Sequence, residues 1–281
     1  MSESTNPSEK PPVRVLAVTS GKGGVGKTNI SVNLATAFAR GGKQVLLMDA
    51  DLGLANIDIL LGLQPKFDLR HVISGEKTLA EIIVEGPVGV KVIPASSGIE
   101  HMADLSPAEH AGLVRAFSDL PLAADIMIVD TAAGIADSVM TFCKACQEVL
   151  VIVCDEPASI TDAYALIKLL SKHHGSKRVQ IIANMVRSEA HGEELYNKIR
   201  RVTDKFLDVQ VDYLGAVPLD EFVRKAVQQQ KPVLSSYPRS PASVAITKIA
   251  NKIDRWKMPQ GISGNLEFFV ERLLPSEATT H

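Results

Sequence analysis

Cysteine, net charge and long apolar runs are all scarce in this chain of 281 residues. The three cysteines, Cys143, Cys146 and Cys154, are too few to staple a chain this long, which excludes a disulfide scaffold and fits a reducing compartment. A formal charge of -2 excludes a protein whose whole surface is basic, and leaves room only for a local patch that could meet nucleic acid. No stretch approaches the ~20 apolar residues that a membrane-spanning helix needs. The opening MSESTNPSEKPP is polar and proline-rich without an apolar core, so it reads as neither signal peptide nor membrane span. There is no internal repeat, and biased composition is confined to the two tails. What the chain does have is 46% hydrophobic and 22% charged residues, enough for one large α/β domain.

β-Branched apolar runs alternate with longer segments of helical period, the pattern of a parallel sheet covered on both faces. Strands are expected at Val13 to Thr19, Gln44 to Asp49, Val90 to Pro94, Asp125 to Asp130, Val149 to Cys154, Val179 to Asn184 and Asp212 to Val217. The clearest helices are Thr28 to Arg40, Pro107 to Asp119, Ile160 to His173 and Gly192 to Phe206. Past Pro218 only helices follow. The fold class is a doubly wound, mostly parallel α/β sheet of the P-loop NTPase kind, with a leader at 1–12, an ATPase domain at 13–262 and a helix and tail at 263–281.

The chemistry begins where the first strand ends. Gly21-Lys22-Gly23-Gly24-Val25-Gly26-Lys27-Thr28 fits GxxxxGK[ST] between the strand VLAVT and the helix NISVNLATAFA, the context the motif requires. Its glycines let backbone N–H groups face a β-phosphate, the helix N-terminus adds its positive end, and Lys27 neutralises β and γ oxygens. Thr28 places a hydroxyl on Mg²⁺, and Asn29 completes the nucleotide-binding stretch. The second strand ends in Asp49 and Asp51, which alternation points the same way; Asp51 is the candidate for directing the attacking water and Asp49 for support near the metal. The strand IMIVD ends in Asp130, followed by TAAG, a Walker B carboxylate on a Mg²⁺-bound water and a loop that Gly134 hinges against the γ-phosphate. Thr28, Asp49, Asp51 and Asp130 are thus the metal-site candidates, and Asp51, Lys22 and Lys27 the catalytic ones.

The octet GKGGVGKT resembles the deviant Walker A loop, and LLMDADLGLANIDILLGL, IVDTAAGI and CDEPASITDAYALIKLL resemble the MinD/ParA group of ATPases, most of all its flagellar-number branch, FlhG or FleN. The resemblance covers residues 13–275. It implies that Lys22 reaches across a homodimer to the partner's ATP, making charge stabilisation depend on association as an arginine finger does. It places Glu156 and Asp162 at cross-dimer nucleotide contacts, Asn184 where its amide reads adenine, and Pro218 and Asp220 over the base. It implies ATP and Mg²⁺ as cofactors, a transcriptional activator of the FleQ type as partner, and an FlhF-type GTPase as a second; the leader lacks the DQAxxLR form through which some homologues engage that GTPase. The segment GNLEFFVERLLPSE sets Leu266, Phe269, Val270, Leu273 and Leu274 on one helical stripe, resembling the branch's membrane-targeting helix. The expected location is the cytoplasm, with ATP-dependent attachment to the inner face of the cell membrane.

Three further patterns define rival readings. Cys143 and Cys146 form a CxxC, the signature of an iron–sulfur carrier ATPase on this fold, but four thiolates would be needed and buried core positions are the expectation. Asn251-Lys252-Ile253-Asp254 matches the guanine-reading NKxD yet sits in a helical pattern, so ATP is preferred to GTP. Lys198, Arg200, Arg201 and Lys205 in NKIRRVTDK would serve a ParA-type partition ATPase as a DNA face; a solvated helix of mixed charge is the expectation. Division-site placement in the manner of MinD is a further alternative.

Overall fold

The computed structural model describes residues 12–51, 56–94, 116, 117, 120, 123–174, 178–257 and 268. Among the described residues eight strands form one sheet: β1 Arg14–Ser20, β2 Val45–Ala50, β3 Val84–Glu85, β4 Lys91–Ile93, β5 Ile126–Ala133, β6 Glu148–Val153, β7 Arg178–Val186 and β8 Gln210–Pro218. The α-helices among the described residues are α1 Lys27–Arg40, α2 Ile57–Leu61, α3 Leu69–Ile73, α4 Leu79–Ile82, α5 Asp137–Lys144, α6 Pro157–His174, α7 Glu189–Phe206, α8 Glu221–Gln228, α9 Val233–Ser236 and α10 Pro241–Asp254.

Alternation along the strands divides the core in two. In β1, Val15 and Ala17 enter one apolar cluster while Leu16 and Val18 enter the other; in β2, Leu46 and Met48 oppose Val45 and Leu47 in the same way. Helices α3 to α7 supply Leu69, Leu79, Phe142, Leu166 and Leu195 to the first cluster. Helices α1, α2 and α8 to α10 supply Leu34, Leu60, Ala226, Leu234 and Ile249 to the second. Side chains such as Leu16 and Leu34 are wholly buried, each worth roughly 1.5–3 kcal/mol of transfer free energy.

The sheet order is β3-β4-β2-β5-β1-β6-β7-β8, parallel throughout except for the β3–β4 pair at one edge. β1 lies between β5 and β6, where the winding reverses direction, so the crevice beyond its C-terminal end is where a ligand binds in such sheets. Asp49 on β2 and Asp130 on β5 are register partners, which carries both carboxylates to that same edge.

The expected strands are present, most within a residue or two of the sequence reading, while β5 runs on through Thr131 to Ala133 and so takes most of the stretch read as a switch loop. The two-residue β3 and the short helices α2 to α4 have too few residues to establish a period. Of the helix expected at Pro107 to Asp119, only residues 116 and 117 are described. The stripe residues Leu266, Phe269, Val270, Leu273 and Leu274 lie outside the described residues; within their segment Phe268 is buried, its ring 4.6 Å from Phe117 and 6.5 Å from Phe142.

Candidate nucleotide and magnesium site

The loop from Gly21 to Gly26 is shaped by glycine where only glycine fits. Gly24 and Gly26 have φ of 80° and 86°, in the left-handed region. A Cβ on Gly21 would run into the Asp162 backbone at the start of α6, and one on Gly26 would strike the Asn184 amide. The loop is tied down from outside: Asn184 Nδ2 donates to the Val25 carbonyl at 2.7 Å, and the Cys154 thiol lies 3.6 Å from the same oxygen. Helix α1 then opens at Lys27 with no acidic residue in its first turn, leaving its positive end free for an anion.

Lys27 Nζ lies 3.1 Å from Asp130 Oδ1, and Ser31 Oγ donates to that oxygen at 2.8 Å. Asp130 is 0% exposed, and among the described residues its Oδ2 has no hydrogen-bond partner. A buried carboxylate oxygen is costly to leave unmade, and a cation or its bound water would satisfy it. With the Thr28 hydroxyl on the same turn as Lys27 and Asp51 beyond β2, these residues fit a Mg²⁺ site, and the ion would draw charge off the β and γ oxygens.

The two aspartates after β2 divide their work. Asp49 accepts three backbone N–H groups: Asp51 at 3.0 Å on Oδ1, and Asn56 and Ile57 at 2.9 and 3.1 Å on Oδ2. It thereby holds Asp51 and the N-terminal end of α2, beside Asp130 and the supporting place near the metal expected from the sequence. Burial, then the neighbouring Asp130, pushes its carboxyl up to about 7 against the pull of those N–H donors. Asp51, half-buried at the strand end, takes a 3.5 Å contact from Asn56 Nδ2. Gly134, at φ 101°, donates its N–H to Ser20 O at 2.8 Å, so the end of β5 is fastened to the start of the phosphate loop.

Lys22 stands apart from this cluster. Its Nζ meets Glu156 Oε2 at 2.5 Å, with side chains 37% and 59% exposed. The hydrogen bond and charge of Glu156 raise the lysine's pKa.

On the other side of Gly26 a cavity of about 250 Å³ is lined by Asn29, Asn33, Asn184, Met185, Pro218 and Val223, among others. Asp220 borders it, but its carboxylate is engaged elsewhere: Oδ1 accepts Phe222 N–H at 2.9 Å and Oδ2 accepts Ala242 N–H at 3.0 Å. It caps α8 and ties down α10 from the edge of the cavity where, with Pro218, it is expected to lie over the base. Asn184 likewise spends its amide on the phosphate loop. Asn33 bridges Asn29 O and the Leu234 N–H. Asn33 and Ser31 were not singled out in the sequence, although polar residues one helical turn past Asn29 and Lys27, on a helix face that is otherwise core, are the available signal.

A family model described as "ParA: NUBPL iron-transfer P-loop NTPase" matches residues 13–254. The chain belongs to the ParA/MinD family of P-loop NTPases. It is 56% identical over 268 residues to the antiactivator FleN of Pseudomonas aeruginosa, covering 95% of this chain and 96% of that one. The flagellum site-determining protein YlxH of Helicobacter pylori is 35% identical over 84% of this chain and 80% of its own length. Among solved structures, the septum site-determining protein MinD of Pyrococcus horikoshii, complexed with Mg-ADP, superposes with a TM-score of 0.69 at 25% identity, covering 87% of this chain and 97% of that one. As a member of this family the chain is an ATPase, and ATP and Mg²⁺ are its nucleotide and metal.

The residues of the rival motifs are engaged within the chain in other ways. Cys143, Cys146 and Cys154 are buried core residues, the packing role expected of them from the sequence, and burial raises the Cys143 and Cys154 thiols above the ordinary range. Asn251 to Asp254 close helix α10, and Asp254 pairs with Lys43 at 3.0 Å, while its charge acts on Arg14 at the opposite end of β1 from the phosphate loop. On α7, Lys198 pairs with Asp155, Arg200 with Asp204, and Lys205 lies over the Phe206 ring, so three of the four cations proposed for DNA are already engaged. No helix among the described residues is long and apolar enough to cross a membrane.

Proposed function

We propose that this ATPase is a dimerising switch that limits flagellar number, restraining a transcriptional activator while bound to ATP and resetting by hydrolysis. The observation that supports it most is the 56% identity with the antiactivator FleN along almost the full length of both chains, together with a second loop lysine, Lys22, held at the surface. In this reading Lys27, Thr28 and the backbone of residues 21–28 hold the phosphates in cis, and Lys22 crosses to the ATP of a second subunit. Asp51 orients the attacking water. Asp130, through Mg²⁺, and Gly134, through Ser20, report whether the γ-phosphate is present. The base sits in the cavity beside Asn184 and Pro218.

An activator is the partner that the relative's name, antiactivator, implies for that protein; for this chain the proposed partner is an activator of the FleQ type, with an FlhF-type GTPase as a second candidate. The C-terminal stripe meets the inner membrane surface. As a helix, 264–274 would set Leu266, Phe269, Val270, Leu273 and Leu274 on one face, and forming it would take the Phe268 N–H off Ala145 O, which it meets at 3.2 Å. One such helix binds lipid weakly, but two on one dimer bind well because the second insertion is intramolecular. The protein would then be cytoplasmic as a monomer and peripheral at the membrane with ATP.

Deleting the chain in its host should multiply flagella per cell, and a Lys27→Ala copy should fail to restore the count. Full restoration by that variant would rule out a nucleotide switch. Co-sedimentation with anionic liposomes should require both ATP and residues 264–281; binding unchanged by their removal would end the membrane part.

A further inference from the structure

The lysine that the switch depends on is not free in the isolated chain, and the grip on it extends well beyond Glu156. Glu156 lies in a three-residue turn, Cys154 to Glu156, between β6 and α6. Inside, Cys154 N–H donates to Ser159 Oγ at 3.1 Å and the Glu156 N–H donates to Cys154 O at 2.8 Å. Outside, the middle residue Asp155 is fastened to α7: His191 Nε2 lies 2.8 Å from Oδ2 and Lys198 Nζ 2.9 Å from Oδ1. Arg187 N–H donates to His191 Nδ1 at 3.2 Å, so in the neutral ring Nε2 carries the proton and donates to Asp155. His191 is placed in turn by its own N–H on Ser188 Oγ, the cap of α7. These groups account for both oxygens of Asp155, whose acidity the Lys198 and His191 bonds increase.

The side-chain polar contacts of Asp155, His191 and Lys198 run among themselves and Arg187, and an exposed carboxylate gains little by holding two cationic or polar side chains in one geometry. What the arrangement achieves is a fixed direction for the next residue.

We propose that Asp155, clamped by His191 and Lys198 of α7, is the positioning residue that keeps Glu156 on Lys22, so that α7 sets how readily the cross-subunit lysine is released. The meaning of that release for dimerisation rests on the function proposed above; the hold on Lys22 within one chain does not. A protein that engages the outer face of α7 and draws Lys198 or His191 away would loosen Lys22 without touching the nucleotide.

The test reads Lys22 directly. With the full-length chain kept monomeric in ADP, the acylation rate of the Lys22 amine by acetic anhydride is followed by mass spectrometry. Glu156→Gln should raise the rate roughly three- to tenfold, since each unit of lysine pKa is a factor of ten in free amine. Asp155→Asn and Lys198→Met should each raise it by roughly two- to fivefold, and Asp155→Asn should add nothing in the Glu156→Gln background. His191→Ala should loosen Lys22 as well, while His191→Gln, which keeps a donor for Asp155, should restore the unmodified rate. Lys43, paired with Asp254 at the far end of the sheet, serves as the internal control and should not change, which separates release of Lys22 from loss of folding. An unchanged Lys22 rate in Asp155→Asn, or an equal increase with and without Glu156, would overturn the positioning role. Loss of ATP-dependent dimerisation in the unmodified chain would instead defeat the switch reading and leave this result standing.

Discussion

The phosphate side and the base side of the site are built by opposite means. On the phosphate side, buried charges sit against one another: Lys27, Asp130 and Asp49 are each almost fully enclosed, and one Asp130 oxygen has no partner among the described residues. On the base side, Asp220 joins two helices and Asn184 braces the loop, and the cavity is walled by Asn29 and Arg224 as well as by Met185, Pro218 and Val223. In the function proposed above, the first side responds to a cation and a third phosphate, and the second holds the base. A switch needs both, because only the end that differs between ATP and ADP should be sensitive to what is bound.

Substitutions should separate the two sides sharply. Lys27→Met should abolish measurable ATP binding by titration calorimetry and, by stranding the Asp130 carboxylate, lower stability by about 3 kcal/mol in urea melts; binding within tenfold of the unmodified chain would erase the contrast. Asp51→Ala should slow hydrolysis roughly a hundredfold or more with ATP affinity nearly unchanged. Asp49, whose carboxyl is raised to about 7, should make the Mg²⁺-free chain lose stability as pH rises from about 4 toward 7. The sign follows because the folded state holds this proton more tightly than the unfolded one, so its contribution is complete below the ordinary carboxylate range and gone above the raised value. The slope is at most about 1.4 kcal/mol per pH unit. Asp49→Asn should flatten it in pH-dependent urea melts, and an unchanged slope would place the proton elsewhere. On the base side, Asp220→Ala should cost about 1–2 kcal/mol of stability as caps are lost while ATP affinity falls less than tenfold; a larger loss of affinity at full stability would mean that Asp220 touches the base after all.

The same division governs how much could be read from sequence. The strands β1, β2, β5 and β6 and the residues Lys27, Thr28, Asp51 and Asp130 are legible because a parallel sheet demands continuous apolar runs and places polar residues at their ends. The base side is less legible: Asn184 and Asp220 stand at strand and helix ends where the same residue types also brace loops and cap helices, and only geometry assigns the hydrogen bonds. Ser31 lies hidden within an ordinary helix. Asp155, His191 and Lys198 come from two elements 36 or more residues apart, so no local pattern could join them.

Light scattering on Asp51→Ala with Mg²⁺ bears most directly on the central claim, since this variant should keep ATP without consuming it. The switch predicts twice the 30.2 kDa monomer mass with ATP and the monomer mass with ADP. A single mass in both, with ATP shown to be bound, would contradict it and leave a monomeric ATPase in which Lys22 has no partner to reach.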